Sequence, residues 1–350
     1  MVLKISFVPA LRKTANRRVA PPLWPHQKSW QGAQDALCPF AMECVILGAG
    51  GMMPMPLRLT TSVLIKHNGR MLIFDAGEGI QLALKKGALG IRTLDAVAIS
   101  HLHADHVLGL PGILMFRAQC DDPGPLTIIG PKGVARFIQH TLQDLRYRLN
   151  FDITYIEYDK KNPTDVAWRW QGHALHWAPL KHSTFCLGYR LEEATRPGRF
   201  DLDAARQLGI PPGPLYGQLQ SGCAVTLADG TEIQPAQVLG PSRRGRVVVF
   251  ATDTRPCPAL EQLMRGADLA FAEGMFTQAH QTEAIEKQHS TAAETAQQAA
   301  RAGVHRLVLV HISPRYGYED EATLKAEAAA HFANVTVGRA LATFAVPLPD

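Results

Sequence analysis

The stretch SHLHADH (100–106) packs His101, His103, Asp105 and His106 into six residues. Imidazoles and carboxylates are the donors that borderline divalent cations take, and four of them this close can serve two ions. The preceding LDAVAIS (94–100) is an apolar run of strand character, so His101 and His103, two apart, leave a strand end together. Asp105 and His106 then open the next helix. Three more ligand-type residues stand at strand ends elsewhere. His182 lies in LKHSTFCLGYR just ahead of a strand, Asp253 closes VVVFATD, and His311 closes LVLVH. A carboxylate at 253 could bridge two ions. His26, His67, His140, His173, His176, His280, His305 and His331 share no such placement and are expected to be structural or surface residues.

Two divalent ions about 3.5–4 Å apart lower the pKa of a water between them toward about 7 and clamp a phosphoryl group. Asp105 could orient or deprotonate that water. An alkoxide leaving from phosphorus still needs a proton, and no ligand can supply it. His289, in KQHSTAAETAQQAA, is the candidate donor. It stands just before a helix that Thr291 and Glu294 would close with a capping box. A helix N-terminus disfavours a charged imidazole, so a carboxylate must offset it. Glu273, ending DLAFAE, is placed to do so.

These residues need a scaffold of buried strands. SVLIKHNGRMLIFD (62–75) is a hairpin signal with Asn68-Gly69 at its turn. MECVILG from Met42, LTIIG (126–130), RVVVFAT (246–252), DLAFAE (268–273) and RLVLVHI (306–312) complete the obvious core strands. Hairpins early and strand–helix units late point to a mixed α/β layered fold. Two regions depart from that pattern. Residues 1–41 hold six basic side chains against Asp35 and alternate with Pro and Trp, as a disordered basic extension would. Residues 192–244, rich in Pro, Gly and charge, are expected to be an insertion without a core of its own.

The net charge of +5 belongs to the extension, and the rest of the chain is formally neutral. Any nucleic-acid surface must therefore be a local patch. The six cysteines are scattered with no CxxC pair, which argues against a disulfide scaffold or a cysteine zinc site and fits a reducing cytoplasm. No apolar run reaches the roughly 18 residues of a membrane span, and the start lacks a signal-peptide apolar region.

The HxHxDH spacing with later His, Asp and His resembles the metallo-β-lactamase superfamily. The resemblance implies an αββα sandwich, with His101, His103 and His182 holding one ion, Asp105, His106 and His311 a second, and Asp253 bridging. It narrows further. HST (289–291), VHISPRY (310–316), TDTRP (252–256), FDAGEGIQ (74–81) and GAGGMMPMP (48–56) are similar to motifs of the ribonuclease Z family, from about Met42 to Phe344. That likeness implies cleavage of 3′ trailers from precursor tRNA by a cytoplasmic homodimer carrying two divalent ions, zinc first and manganese as the alternative. It makes His289 the catalytic acid and Glu273 its helper. The chain departs from the family in three places: AEGM (272–275) keeps only the glutamate of a HEAT-type motif, Thr252 replaces a glycine, and Arg58-Leu59 stands for an Arg-Asn pair.

The resemblance also gives the insertion a purpose. LGIPPGPLYG (208–217) is similar to the tip of the family's flexible arm, which grips the tRNA elbow from the partner subunit. Gly209, Pro211, Pro212, Gly213, Pro214 and Gly217 would form that tip: proline stiffens a projecting segment, and glycine lets backbone approach a phosphate chain. The alternative activity is hydrolysis of small or cyclic phosphodiesters on the same fold, which needs no arm.

Overall fold

Val247 to Ala251 are apolar without alternation, the mark of a strand covered on both faces. Val247, Val249 and Ala251 enter one apolar cluster, while Val248 and Phe250 enter another. Repeated across the chain, this builds two stacked sheets with helices outside each. The computed structural model describes residues 42–56, 58–160 and 168–349, and the extension expected over 1–41 lies outside them.

The first sheet comprises β1 (Met42–Gly48), β2 (Ser62–His67), β3 (Arg70–Phe74), β4 (Leu94–Ala98), β5 (Leu126–Pro131), β6 (Ile153–Tyr158) and, late in the chain, β16 (Thr343–Val346). Its order is β16-β1-β2-β3-β4-β5-β6, antiparallel as far as β3 and parallel from β3 to β6. The second sheet comprises β7 (Trp168–Trp170), β8 (His173–Leu180), β9 (Cys186–Glu193), β12 (Val247–Ala251), β13 (Leu269–Glu273), β14 (Leu307–Val310) and β15 (Val335–Val337). Its order runs β15-β14-β13-β12-β9-β8-β7, parallel from β12 to β15.

The sheets face each other through one core in which Phe74 stacks on Phe250 with ring centroids 5.2 Å apart. Helices 80–86, 109–117 and 134–144 cover the outer face of the first sheet, and helices 258–264, 292–302 and 321–329 that of the second. In the β2–β3 hairpin both Asn68 and Gly69 have positive φ, as a two-residue type I′ turn demands. No helix among the described residues is long and apolar enough to cross a membrane.

The insertion differs from its expectation. Glu192 and Glu193 still pair with Ala174 and His173, so the segment leaves the sheet only after β9. It also has a core. Ala205, Ile210, Leu219, Val225, Ile233 and Val238 are buried together between helices 202–207 and 214–220 and the small sheet of β10 (Val225–Thr226) and β11 (Glu232–Ile233). At its root the two backbones run so close that a Cβ on Gly198 would lie 1.9 Å from the Gly240 carbonyl oxygen. Beyond that root, Gly209, Pro211, Pro212, Gly213, Pro214 and Gly217 are all exposed, the last two within helix 214–220.

Candidate metal centre

The parallel strands of both sheets deliver their carboxyl ends to one edge, where such sheets place ligands. Asp75 follows β3, His101 follows β4, Asp253 follows β12, Glu273 ends β13 and His311 follows β14. Asp75, Asp253 and His311 have φ of 52°, 59° and 55°. A left-handed backbone is uncommon outside glycine and costs about 1–3 kcal/mol, and these three strand ends share it.

The side chains gather into two groups. His101, His103, His182 and Asp253 bring ligand atoms within 4.8 Å of one another, and so do Asp105, His106 and His311. Asp253 touches both: Oδ2 lies 3.5 Å from His101 Nε2, and Oδ1 lies 3.3 Å from His106 Nε2 and 3.2 Å from His311 Nε2. His103 Nδ1 and His182 Nε2 are 3.4 Å apart, as are Asp105 Oδ2 and His106 Nε2.

A cation fits these residues. His101 Nε2 and Asp253 Oδ1 are buried without a hydrogen-bond partner, which is costly unless something else binds them. Burial holds His101 and His182 below the usual imidazole range, keeping their lone pairs free. Burial would raise Asp253, but His106, His311 and His101 outweigh it and hold the carboxylate well below its usual range.

Outer hydrogen bonds aim the rings. Asp75 Oδ2 lies 2.7 Å from His106 Nδ1, and the same carboxylate accepts from the Ser100 amide at 2.6 Å and the Ser100 hydroxyl at 2.8 Å. His182 Nδ1 donates to the carbonyl of Gln288 at 3.1 Å, and Gln288 itself has a φ of 59°. The Met52 amide donates to Asp105 Oδ2 at 2.6 Å. Sequence reasoning gave Asp75 no role, although it too ends an apolar strand and lies in the FDAGEGIQ stretch, two signals that could have found it.

His289 lies beside this cluster, its ring 5.1 Å from His182 and 5.3 Å from His311 between centroids. Its Nδ1 is 3.0 Å from Glu273 Oε2. Burial disfavours the charged ring, but the Glu273 carboxylate prevails and raises the pKa to about 9. Glu273 is itself buried and accepts a hydrogen bond from the Thr254 amide. Thr291 and Glu294 form the capping box expected of helix 292–302.

Arg58 is braced by Glu321, to which it donates at 2.6 Å, and by the Tyr316 carbonyl at 2.9 Å. The structure also brings together His67, His173 and Glu193, which the sequence gave no reason to join. There Glu193 is engaged by Arg246, whose Nε and terminal nitrogen donate at 2.8 and 2.7 Å.

A profile described as "Beta-lactamase superfamily domain" matches residues 221–312, and one described as "Anti-Pycsar protein Apyc1" matches 42–191. Human tRNase Z, short form, shares the fold with a TM-score of 0.63 at 22% identity, covering 87% of this chain and 99% of its own. The fold is that of the metallo-β-lactamases. Ribonuclease Z of Treponema denticola is 42% identical across 79% of this chain and 88% of its own length. That of Methanosarcina acetivorans is 38% identical across 87% and 98%. At such identity over most of the chain and most of each relative, the chain belongs to the ribonuclease Z family.

Proposed function

We propose that this protein is a metal-dependent endoribonuclease that removes 3′ trailers from precursor tRNA, leaving a 3′-hydroxyl on the tRNA and a 5′-phosphate on the trailer. The observation that carries this reading is the His289–Glu273 pair set against Asp253 and His311. A ribose 3′-alkoxide is a poor leaving group, and a rigidly held imidazolium is the donor it requires.

His101, His103 and His182 would hold one ion, Asp105, His106 and His311 another, with Asp253 shared. The donor set suits zinc, with manganese second. When bound, such ions make water nucleophilic near neutral pH and offset charge on the phosphoryl oxygens. Asp105, kept ionised by His106 and His311 despite burial, accepts a hydrogen bond from the attacking water and orients it toward phosphorus. Water oxygen bonds to phosphorus as Asp105 takes one of its protons and passes it to solvent, the bond from phosphorus to O3′ breaks, and His289 delivers its proton to O3′ and regains one from solvent. Glu273 holds Nδ1–H, so Nε2 faces the leaving oxygen.

The exposed tip formed by Gly209, Pro211, Pro212, Gly213, Pro214 and Gly217 would grip the tRNA far from the cut. Homodimer assembly and a cytoplasmic location belong to the same proposal. A 5′-labelled precursor tRNA with a 3′ trailer, incubated with metal-loaded enzyme, tests it. One metal-dependent cut beside the discriminator base is expected. No cut, with a small phosphodiester turned over well, would overturn the tRNA reading.

A further inference from the structure

We propose that Arg255 is a positioning residue for His289, fixing the proton donor relative to Asp253 and His182 through a two-pronged hold on the HST turn. The proposal rests on the reading of His289 as the donor to the leaving oxygen.

Arg255 follows the shared carboxylate Asp253 by two residues. Its amide donates to the Lys181 carbonyl at 2.8 Å, one residue before His182, and the Lys181 amide donates to Thr254 Oγ1 at 3.1 Å. The backbone of Arg255 is thus tied to the loop that carries a candidate ligand. Its side chain reaches the opposite way. One terminal nitrogen donates to the His289 carbonyl at 2.6 Å and to Glu294 Oε2 at 2.8 Å, and the other donates to Glu294 Oε1 at 2.6 Å.

Glu294 is already committed to this turn. The same Oε2 accepts the Thr291 amide at 2.9 Å, and Oε1 accepts from Gln281 at 3.1 Å. Glu294 therefore works as a cap and as an anchor at once. The Ser290 hydroxyl donates to the Thr254 carbonyl, which closes the link between the two segments from the other side. Arg255 and Glu294 are nearly buried, with side-chain exposures of 13% and 12%. Little solvent competes for the pair, and the planar fork fixes direction as well as distance.

Why should this matter for the reaction rather than only for folding? Gln288 and His289 are held by their neighbours in a turn with a left-handed residue. The carbonyl of Gln288 orients His182, while the carbonyl of His289 is gripped by Arg255. The turn is thus the common support of one candidate ligand and the proton donor. General-acid catalysis needs the donor within hydrogen-bond reach of the leaving oxygen, so a displacement of about 1 Å costs rate far more than it costs binding.

The test compares leaving groups. Metal-loaded R255A is assayed on precursor tRNA, whose alkoxide needs protonation, and on bis(4-nitrophenyl) phosphate, whose phenolate does not. The expected result is a kcat on tRNA about 10–100-fold lower, with KM within about twofold, and a loss on the aryl diester of less than about threefold. Bound metal, measured by elemental analysis, should stay at the wild-type ratio. The R255A/H289A double variant should be no slower on tRNA than H289A alone, because both act through one proton transfer. Multiplicative losses in the double variant, or equal losses on the two substrates, would overturn the proposal. H289A by itself separates the two ideas: if it cleaves tRNA at the wild-type rate, the donor reading fails whatever Arg255 does. Should R255A not fold, R255K decides, since it keeps the charge without the fork. A selective loss on tRNA supports the assignment and a wild-type ratio of the two rates overturns it.

Discussion

Asp75 Oδ2 lies 2.7 Å from Nδ1 of His106, and both side chains are fully buried. A carboxylate behind an imidazole fixes its tautomer and presents the far nitrogen to a cation with raised basicity. Here that far nitrogen, Nε2, points among Asp105, Asp253 and His311.

The first prediction concerns this pair. D75N keeps the side-chain shape, and asparagine tolerates the left-handed backbone that Asp75 adopts. The variant should fold but bind its cations about 10–100-fold more weakly, as outer-sphere partners of metal ligands typically do when neutralised. Chelator competition measures this. Undiminished affinity would show that Asp75 is only a structural carboxylate.

A second prediction uses a contact that leaves no room. A Cβ built on Gly51 would lie 2.7 Å from Cε1 of the His311 ring. G51A must therefore push the ring off Asp253 and Asp105 or shift the loop that carries the Met52 amide. It should cost about 1–3 kcal/mol of stability and lower the bound metal per chain. A wild-type melting curve together with full metal content would refute this.

What the sequence reveals and what it hides divide along physical lines. SHLHADH is readable because one strand end and one helix start put four donors within six residues. Asp253 and His311 are readable as polar residues closing apolar runs. Asp75 does the same, yet its partner His106 is 31 residues away and nothing in a lone carboxylate announces that pairing. Arg255 and Glu294 are 39 residues apart, and only the capping role of Glu294 is local enough to read. The core of the insertion was missed for a related reason. Ala205, Ile210, Leu219, Val225, Ile233 and Val238 follow neither a helical nor a strand period, because each short element contributes at most one of them.

Glu193 and Arg246 give a pH-dependent prediction at the root of the insertion. Burial works to raise the Glu193 pKa, but the hydrogen bonds and charge of Arg246 win and lower it from 4.5 to about 2. A depressed carboxylate adds stability that is full above its unfolded pKa and fades as pH falls through the folded one. E193Q should therefore cost stability at pH 7, by about 1–2 kcal/mol once the partial solvent contact is allowed for. Its difference from wild type should shrink as pH drops from 4.5 toward about 2. Denaturant titrations at pH 7, 4 and 3 would show it, and a difference constant across that range would mean the pair does not set the cost.

The last prediction tests the arm itself. Arg196 and Arg243 form an antiparallel bridge at its root, so a two-residue Asn-Gly turn can replace Pro197–Ser242 without moving the sheet. The small core inside the segment leaves with it, and the main cores keep all their members. The shortened enzyme should melt normally and hydrolyse a small aryl phosphodiester at the wild-type rate. Its affinity for precursor tRNA should fall by about tenfold or more, because a second contact far from the cut acts through effective concentration. The salt dependence of the lost affinity carries further information. The deleted segment holds only Arg199 and Arg206 as basic side chains against Asp201, Asp203, Asp229 and Glu232, and Arg206 is paired with Asp203 at 3.0 Å, so it has little positive charge with which to release counterions. Wild type and the shortened form should therefore differ by nearly the same factor at low and moderate salt, as expected if the exposed glycines and prolines meet the RNA through backbone and shape. Intact affinity after the deletion would remove the arm from substrate binding altogether.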